Sequence, residues 1–233
     1  MSARQLLDQL LQSGRGLMQQ TTEQVQNTAK SGNGGSFLAG LGGGALGAGA
    51  LSLLLGSKKA RKMGGKVAMY GGMAALGALA YRAYGQWQEN QARQQNAPAP
   101  AAPRTLDRLP APEAEKHCNA VLVAMIGAAK ADGHIGAEER ALLEQELSRL
   151  SGDAADRRWL EAELSQPLDP AAVARAACTP EMAAEMYLAS VLVVDEESYM
   201  ERAYLDELAR QLKLEPSLQR ELEQQVNQAV RAA

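Results

Sequence analysis

Two short acidic turns carry the residues of this chain that are best suited to chemistry. Asp132 and Glu139 stand in AKADGHIGAEE, and Asp195 and Glu201 stand in VVDEESYMERA. In both places an apolar stretch leads into an acidic turn, and an amphipathic stretch that contains Glu-Arg follows. Carboxylate oxygens are the ligands that hard cations prefer. If a duplicated helix pair brings both turns to one end of a bundle, the four residues form a candidate site for a divalent ion, either calcium, magnesium or zinc.

The turn DGHIGAEE matches only the second half of an EF-hand calcium loop. Such a loop needs oxygen ligands at its first and third positions, where this chain has Ala128 and Lys130. A structural role explains the same carboxylates, because Asp before Gly stabilises a turn. Glu139 and Glu201 fall in predicted first helical turns, where the positive end of the helix dipole favours them. Both interpretations stay open, and the sequence requires no cofactor.

No motif in the chain predicts catalysis or nucleic-acid binding. The run GLGGGALGAG is not followed by the Lys-Ser/Thr of a phosphate-binding loop, and no G-x-S-x-G or H-E-x-x-H occurs. Cys118 and Cys178 form no C-x-x-C pair, and His117 has no evident partner. A single Phe disfavours a surface that stacks bases. We expect a protein that is not an enzyme and binds no nucleic acid.

The elements that must position the acidic turns lie in the second of two unlike halves. Residues 1–97 contain ten basic and three acidic residues, a net charge of +7, whereas residues 98–233 contain fourteen and twenty-four, a net charge of −10. Eighteen of the 22 glycines occur at or before Gly85. Such a division predicts two parts in different surroundings. Between them, residues 89–112 include a Pro/Ala-rich run that predicts a semi-rigid spacer.

The first half has the pattern of helices that insert into a membrane. Residues 1–35 predict an amphipathic segment and a loop, and residues 36–88 predict membrane-associated helices around a basic loop at residues 58–66. The uncharged run 36–57 has seven leucines and, at ~1.5 Å per residue, is long enough to cross a ~30 Å hydrocarbon core. Small residues four apart permit close helix packing in lipid. The predicted packing positions are Gly40, Gly44, Gly64 and Gly72.

A second apolar stretch, residues 67–81, is short for a span, and three aromatic residues follow its end as an interfacial belt would: Tyr81, Tyr84 and Trp87. The positive-inside rule places the basic loop in the cytoplasm. Four arrangements are open: both segments span, only the first spans, only the second spans, or a shallow hairpin never crosses. Two of the four put the C-terminal part in the periplasm, and this is the side that we expect.

Residues 113–233 predict a self-contained helical domain. Apolar residues recur with helical spacing from Cys118 to Ala129, and again around Trp159. Pro180 opens a nearly all-apolar helix that is too short for a span, and Pro216 occupies a favourable first-turn position for the last helix. The predicted fold is all-α, with a glycine-rich membrane-inserting half and a multi-helix bundle.

The motifs resemble two related bacterial groups. AKADGHIGAEE resembles the signature of TerB-like domains, and VVDEESYMERAYLDELARQLKL resembles their later acidic motif. GSKKARKMGGKVAMYGGMAALGALAYRAYGQWQ resembles the YebE-type inner-membrane proteins, which share this two-part layout. The resemblance implies an inner-membrane location, a TerB-like bundle, divalent metal held by clustered carboxylates and a role in membrane-linked stress complexes. TerB-like domains are usually intracellular, which argues against the periplasm.

Taken together, the patterns and the resemblance predict a membrane-tethered helical interaction module without catalysis. Its expected partners are membrane lipid and either another protein or a second copy of the chain, and divalent ions are expected to modulate it. The alternative is a soluble metal-binding stress-response protein whose glycine-rich half is disordered.

Overall fold

Every regular element of the described structure is a helix, which confirms the all-α prediction for that part of the chain. The computed structural model describes residues 3–5, 7, 73–131, 154–194 and 199–231. Residues 3–5 and 7 are helical. Within the other ranges we number seven helices: α1 Met73–Gln95, α2 Ala111–Ala129, α3 Ala154–Ser165, α4 Pro170–Ala174, α5 Pro180–Val193, α6 Tyr199–Gln211 and α7 Pro216–Arg231.

Helix α5 lies at the centre of this helical body. Its sequence, PEMAAEMYLASVLV, is apolar on nearly every face, and all residues from Met182 to Val193 are buried. A helix that is hydrophobic all round needs neighbours on all sides. Helices α1, α2, α6 and α7 all pack against it, and the contact with α2 is the most extensive. The core therefore forms around α5.

Side-chain caps and prolines set the starts of the central helices. The Thr179 hydroxyl accepts a hydrogen bond from the Met182 N–H at 3.1 Å, and Pro180 takes the first helical position of α5. Asp169 caps α4 in the same way, accepting from the Ala171 N–H at 2.9 Å. Both arrangements satisfy N–H groups that have no acceptor inside the helix.

Helix α1 packs its apolar face on α5 and α7. This face has helical spacing and consists of Leu76, Ala80, Ala83 and Tyr84, all of them buried. On the same helix the Trp87 Nε1–H donates to the Ser217 hydroxyl of α7 at 2.8 Å. Burial of a side chain such as Leu76 stabilises the fold by about 1.5–3 kcal/mol. The described part of the second apolar stretch is thus built into the helical body.

The Pro/Ala-rich run between α1 and α2 also contacts the body. Pro103, Thr105 and Leu106 are buried, and residues 97–104 have no regular secondary structure. A turn closes where the Arg108 N–H donates to the Thr105 carbonyl at 2.9 Å. Beside it the Arg108 guanidinium lies 3.7 Å from the centre of the Tyr81 ring, which is a cation–π contact. We call residues 97–110 the crossing segment.

None of the helices in the described ranges is both long enough and apolar enough to span a bilayer. The predicted membrane run 36–57 and the basic loop at residues 58–66 lie outside these ranges. Of the predicted aromatic belt, Tyr84 is buried, Trp87 bonds to α7, and the ring of Tyr81 faces Arg108.

Candidate functional site

Of the four predicted metal ligands, only Glu201 lies within the described residues. It is half-buried in the first turn of α6. The positive end of the helix dipole stabilises a carboxylate at that position. Asp132, Glu139 and Asp195 lie outside the described ranges, so the metal site stays a prediction. Elsewhere in the described ranges, no group of three or more His, Cys, Asp and Glu side chains is arranged to hold a metal ion.

The predicted packing glycines, Gly40, Gly44, Gly64 and Gly72, also lie outside the described residues. Two other glycines permit close approach inside the body. A Cβ on Gly77 of α1 would lie 2.8 Å from the backbone nitrogen of Asp107 in the crossing segment. A Cβ on Gly127 of α2 would lie 2.5 Å from the Tyr204 hydroxyl and 3.0 Å from Cγ2 of Val173. A side chain at position 77 would thus meet the backbone of the crossing segment, and one at position 127 would meet the side chains of Tyr204 and Val173.

A buried polar cluster joins α2, α5 and the crossing segment. Nδ1 of His117 lies 2.5 Å from Oε2 of Glu185, and the Leu106 N–H donates to Oε1 of the same carboxylate at 2.5 Å. The side chain of Glu185 is fully buried and that of His117 is 6% exposed. Both carboxylate oxygens of Glu185 therefore have a partner, one the His117 ring nitrogen and the other the Leu106 N–H. We call these three residues the sealed cluster.

The chemistry of the sealed cluster favours a structural role. A His–carboxylate pair is the arrangement that orients a general base in many enzymes, but a base must reach the proton that it abstracts. His117 lies under the surface, and the second oxygen of Glu185 is used by a backbone N–H. The cluster therefore fastens the crossing segment to two core helices. Sequence reasoning missed this contact, although a single Glu at the centre of an apolar helix is a signal for a buried partner.

A second polar cluster joins α5 to α6 and α7. The Tyr187 hydroxyl donates to Oε1 of Glu223 at 2.7 Å and accepts from Nε2 of Gln219 at 2.9 Å. Nη1 of Arg202 lies 3.3 Å from the same Glu223 oxygen. Burial, followed by the hydrogen bond to Glu223, raises the pKa of Tyr187 far above its ordinary value. This graded cluster extends outward, because the side chains of Arg202 and Glu223 are 41% and 17% exposed.

Another buried hydroxyl, on Tyr204 of α6, is packed beneath α2. It has no hydrogen-bond partner of good geometry among the described residues. Burial raises its pKa well above the ordinary value, and the nearby Ser190 hydroxyl offsets a small part of that rise. Ser190 itself donates to the carbonyls of Met186 and Ala124, at 3.0 and 3.3 Å. The Tyr204 hydroxyl thus lies among groups that are already paired.

A cleft opens between the C-terminal half of α2, the end of α3 and α4. Its volume is about 220 Å³, below the ~300–1,000 Å³ that is usual for pockets burying a small-molecule ligand. The wall combines apolar side chains with charged ones: Val123, Ile126, Leu168, Val173, Lys130 and Arg175. The Lys130 ammonium donates to the Glu163 carbonyl at 3.1 Å and to the Gln166 carbonyl, which caps the end of α3. Leu168 is 37% exposed beside it.

Comparison with known proteins places the chain in a family. The profile of DUF533, described as a protein family of unknown function, matches residues 40–226, which is most of the chain. The protein belongs to the DUF533 family. The match begins in the glycine-rich run and ends in α7, so the DUF533 pattern joins the predicted membrane part and the helical body in one unit.

One curated relative of this chain comes from Yersinia enterocolitica. It is described as an uncharacterized protein in the ampR 5' region. It is 33% identical to this chain over 108 residues, which cover 46% of this chain and 78% of the relative. No solved structure matches the chain.

Proposed function

We propose that this DUF533 protein is a non-catalytic helical interaction module tethered to the bacterial inner membrane. The single observation that carries the proposal is the cleft between α2, α3 and α4, which combines apolar and charged walls at the surface of a well-packed body. The tether is the stretch before α1, residues 36–72, because the residues of α1 are used in the body. The partner is another protein or a second copy of the chain.

The shape and chemistry of the cleft favour a peptide-like partner. Its volume suits one or two side chains, and Leu168 offers an apolar contact beside them. Exposed apolar surface with a polar rim is typical of protein interaction sites. Asp169 and Arg175 line the same cleft and supply charges of both signs at its rim.

The non-catalytic half of the proposal is supported by how the acid–base groups are used. His117 and Glu185 are the obvious pair for proton transfer, yet they are buried and satisfied by each other and by the backbone. The Tyr187 hydroxyl is engaged by Gln219 and Glu223, and its raised pKa keeps it protonated at neutral pH. These groups stabilise the body.

Divalent-ion modulation belongs to the same proposal. Its carriers are the acidic turns with Asp132, Glu139, Asp195 and Glu201, of which Glu201 begins a helix that packs near α4 and α5. The effect of ion binding at these turns would be transmitted to the cleft by α4. Helix α6 contacts α4, and α4 forms one wall of the cleft. Within DUF533, we propose that this chain is related to the YebE-type proteins and that its helical body is a TerB-like domain.

The alternative is a soluble metal-binding stress protein, and one observation favours it. The apolar face of α1, which includes much of the second apolar stretch, is satisfied by α5 and α7. The apolar residues of α1 are therefore covered by protein, and fewer apolar residues are available to contact lipid than the residue pattern predicts.

Two matched measurements test the proposal. The intact chain should sediment with membranes and resist carbonate extraction, and Leu53→Asp with Leu54→Asp should release it, since charges in the hydrocarbon core are costly. A photo-crosslinking residue in place of Leu168 should trap a partner in the membrane fraction. The same residue at Glu161, which is exposed on α3 and outside the cleft, is the control.

The two measurements test the tether and the cleft separately. Release of the intact chain into the soluble fraction contradicts the tether and favours the soluble alternative. Equal crosslinking at positions 161 and 168, or none at 168, contradicts the cleft as the partner site.

A further inference from the structure

The wall of the cleft between α2, α3 and α4 contains a seam with an unpaired hydroxyl behind it. Gly127 of α2 and Val173 of α4 both line the cleft. A Cβ on Gly127 would lie 2.5 Å from the Tyr204 hydroxyl oxygen and 3.5 Å from Cζ of the same ring. The oxygen is therefore the end of the tyrosine that points at the cleft wall.

The groups at this seam do not favour the stability of the free protein. Tyr204 is 4% exposed, and its hydroxyl has no partner of good geometry among the described residues. The nearby Ser190 hydroxyl donates instead to the carbonyls of Met186 and Ala124. A buried donor without an acceptor is costly, and a glycine inside a helix is less stable than an alanine. Proteins keep unfavourable groups of this kind mainly where they serve a function.

Helix α4 covers the seam and is held by little buried surface. Of its five residues only Val173 is buried. The Cβ position of Gly127 lies 3.0 Å from Cγ2 of Val173, so this side chain fills the seam next to the Tyr204 hydroxyl. A segment with few buried apolar contacts opens at a lower cost than a helix with a whole buried face. An outward shift of Val173 would connect the hydroxyl with the cleft.

The charges around the cleft indicate what kind of acceptor fits there. The Lys130 ammonium is bonded to two carbonyls at the end of α3, and the Asp169 carboxylate caps α4. Arg175 and Glu163 also line the cleft, and their charges are opposite. An ionised carboxylate taken into the seam would be costly with only the Tyr204 hydroxyl to pair it. An uncharged amide carbonyl is satisfied by that one donor.

We propose that the cleft binds an uncharged peptide segment of a partner protein, and that an amide carbonyl of this segment accepts a hydrogen bond from Tyr204 once Val173 has moved aside. An apolar side chain of the segment then takes the place of Val173 beside Ile126 and Leu168, which line the same cleft. The hydroxyl that is unpaired in the free protein gains its acceptor in the complex. This inference rests on the cleft as the partner site proposed above and adds the chemistry that the cleft selects.

Two synthetic peptides test the proposal on the purified full chain in detergent micelles. Acetyl-alanyl-leucyl-alanine amide is uncharged and carries an apolar side chain, and acetyl-alanyl-glutamyl-alanine amide carries a carboxylate in its place. The amide resonance of Gly127, which lines the cleft, reports binding in NMR titrations. We expect saturable binding of the leucyl peptide and weaker binding of the glutamyl peptide.

Two variants should change the affinity for the leucyl peptide in opposite directions. Tyr204→Phe should weaken binding by about three- to tenfold, as loss of one hydrogen bond between uncharged groups does. Val173→Ala should strengthen it by about twofold or more, because the seam is then open in a larger fraction of the molecules. The controls are Tyr187→Phe, whose hydroxyl bonds to α7, and Val226→Ala, a buried position of α7 away from the cleft. Both controls should bind as the natural chain does.

Equal affinity of the natural chain and Tyr204→Phe contradicts the hydrogen bond, and weaker binding by Val173→Ala contradicts the displacement of α4. Tighter binding of the glutamyl peptide contradicts the uncharged acceptor. Tyr204→Phe should also melt no lower than the natural chain. A lower melting temperature together with lost binding would mean that the hydroxyl is already bonded inside the body, which overturns the proposal.

The crosslinking residue at position 168 separates this inference from the proposed function. If it traps a partner while neither peptide binds, the cleft is a partner site and the inferred chemistry is wrong. If it traps no partner although the leucyl peptide binds through Tyr204, the inferred chemistry stands and the partner role is wrong.

Discussion

Two polar side chains of helix α5, two residues apart, form clusters with its neighbours, and water reaches the two clusters to different extents. Glu185 belongs to the sealed cluster, where it binds His117 and the Leu106 N–H with no exposed surface. Tyr187 belongs to the graded cluster, which ends in the partly exposed Arg202. A group with no access to water must keep its protein partners, whereas a group next to water has a substitute.

The difference assigns distinct tasks to the two sides of α5. The sealed cluster determines where the crossing segment lies, and with it where α1 joins the body, because Leu106 follows α1 in the chain. The graded cluster links α5 to α6 and α7 by bonds that can exchange with solvent. The predictions below test this contrast, from the largest expected effect to the smallest.

The largest effect is expected for Glu185→Ala. It leaves His117 and the Leu106 N–H buried without an acceptor and opens a cavity, so the free energy of unfolding should fall by about 3–5 kcal/mol. Urea unfolding followed by circular dichroism measures the change. Glu161→Ala, at an exposed position on α3, is the control and should lie within about 0.5 kcal/mol of the natural chain. Equal effects in the two variants would show that the sealed cluster has no special weight.

The next effect tests how the crossing segment reaches Glu185. Gly77→Ala places a Cβ 2.8 Å from the Asp107 backbone, which should push the segment away and destabilise the fold by about 1–3 kcal/mol. Gly85→Ala on the same helix meets only Cγ of Pro103 at 3.8 Å. That variant should instead gain up to about 1 kcal/mol from helix propensity. Thermal melts of both variants decide the point, and two changes of the same sign would contradict the close approach.

Tyr187→Phe should destabilise less than Glu185→Ala, by about 1–2 kcal/mol, because Glu223 keeps Arg202 and access to water after the hydroxyl is lost. The raised pKa adds a pH dependence. Above pH ~10 the unfolded tyrosine ionises while the folded one stays protonated, so stability falls as pH rises, by up to ~1.4 kcal/mol per pH unit. The variant lacks this loss, and its deficit against the natural chain should shrink above pH 10. A deficit that is constant from pH 8 to pH 11 would contradict the buried hydroxyl.

The smallest effect, of opposite sign, is expected for Tyr204→Phe. The hydroxyl has no partner of good geometry among the described residues, so its removal should leave stability unchanged or raise it by up to about 1 kcal/mol. Compared with Tyr187→Phe, this variant separates a paired from an unpaired buried hydroxyl at equal loss of volume. Destabilisation by more than about 1 kcal/mol would mean that Ser190 does bond to Tyr204.

Much of the local structure follows from neighbouring residues in the chain. Pro180 and Pro216 begin α5 and α7, and the predicted stripe up to Ala129 ends where α2 ends. Such signals act over one or two helical turns, since a first-turn proline or an apolar stripe depends only on residues within reach. The all-helical class was therefore predictable from the sequence, and so was the position of most helices in the second half of the described chain.

The candidate site was less predictable. The acidic residues predicted a site because two similar turns carry carboxylates that a hard cation prefers, and of these four residues the structure describes only Glu201. The sealed cluster was missed because Glu185 and His117 are 68 residues apart. A Glu inside an apolar helix signals that a buried partner exists, but nothing local identifies His117 and the Leu106 N–H as the partners.

By itself the sequence determined the helices, their caps, the division of charge and the glycine-rich half. Only the tertiary structure decided that α1 and the crossing segment pack on helices from the far end of the chain, and that Leu7 is in the core. The physical reason is that an apolar stripe states how much surface must leave water but not which surface covers it. Either lipid or the face of another helix would remove the apolar surface of residues 76–84 from water. The long-range packing on α5 and α7 decides between them.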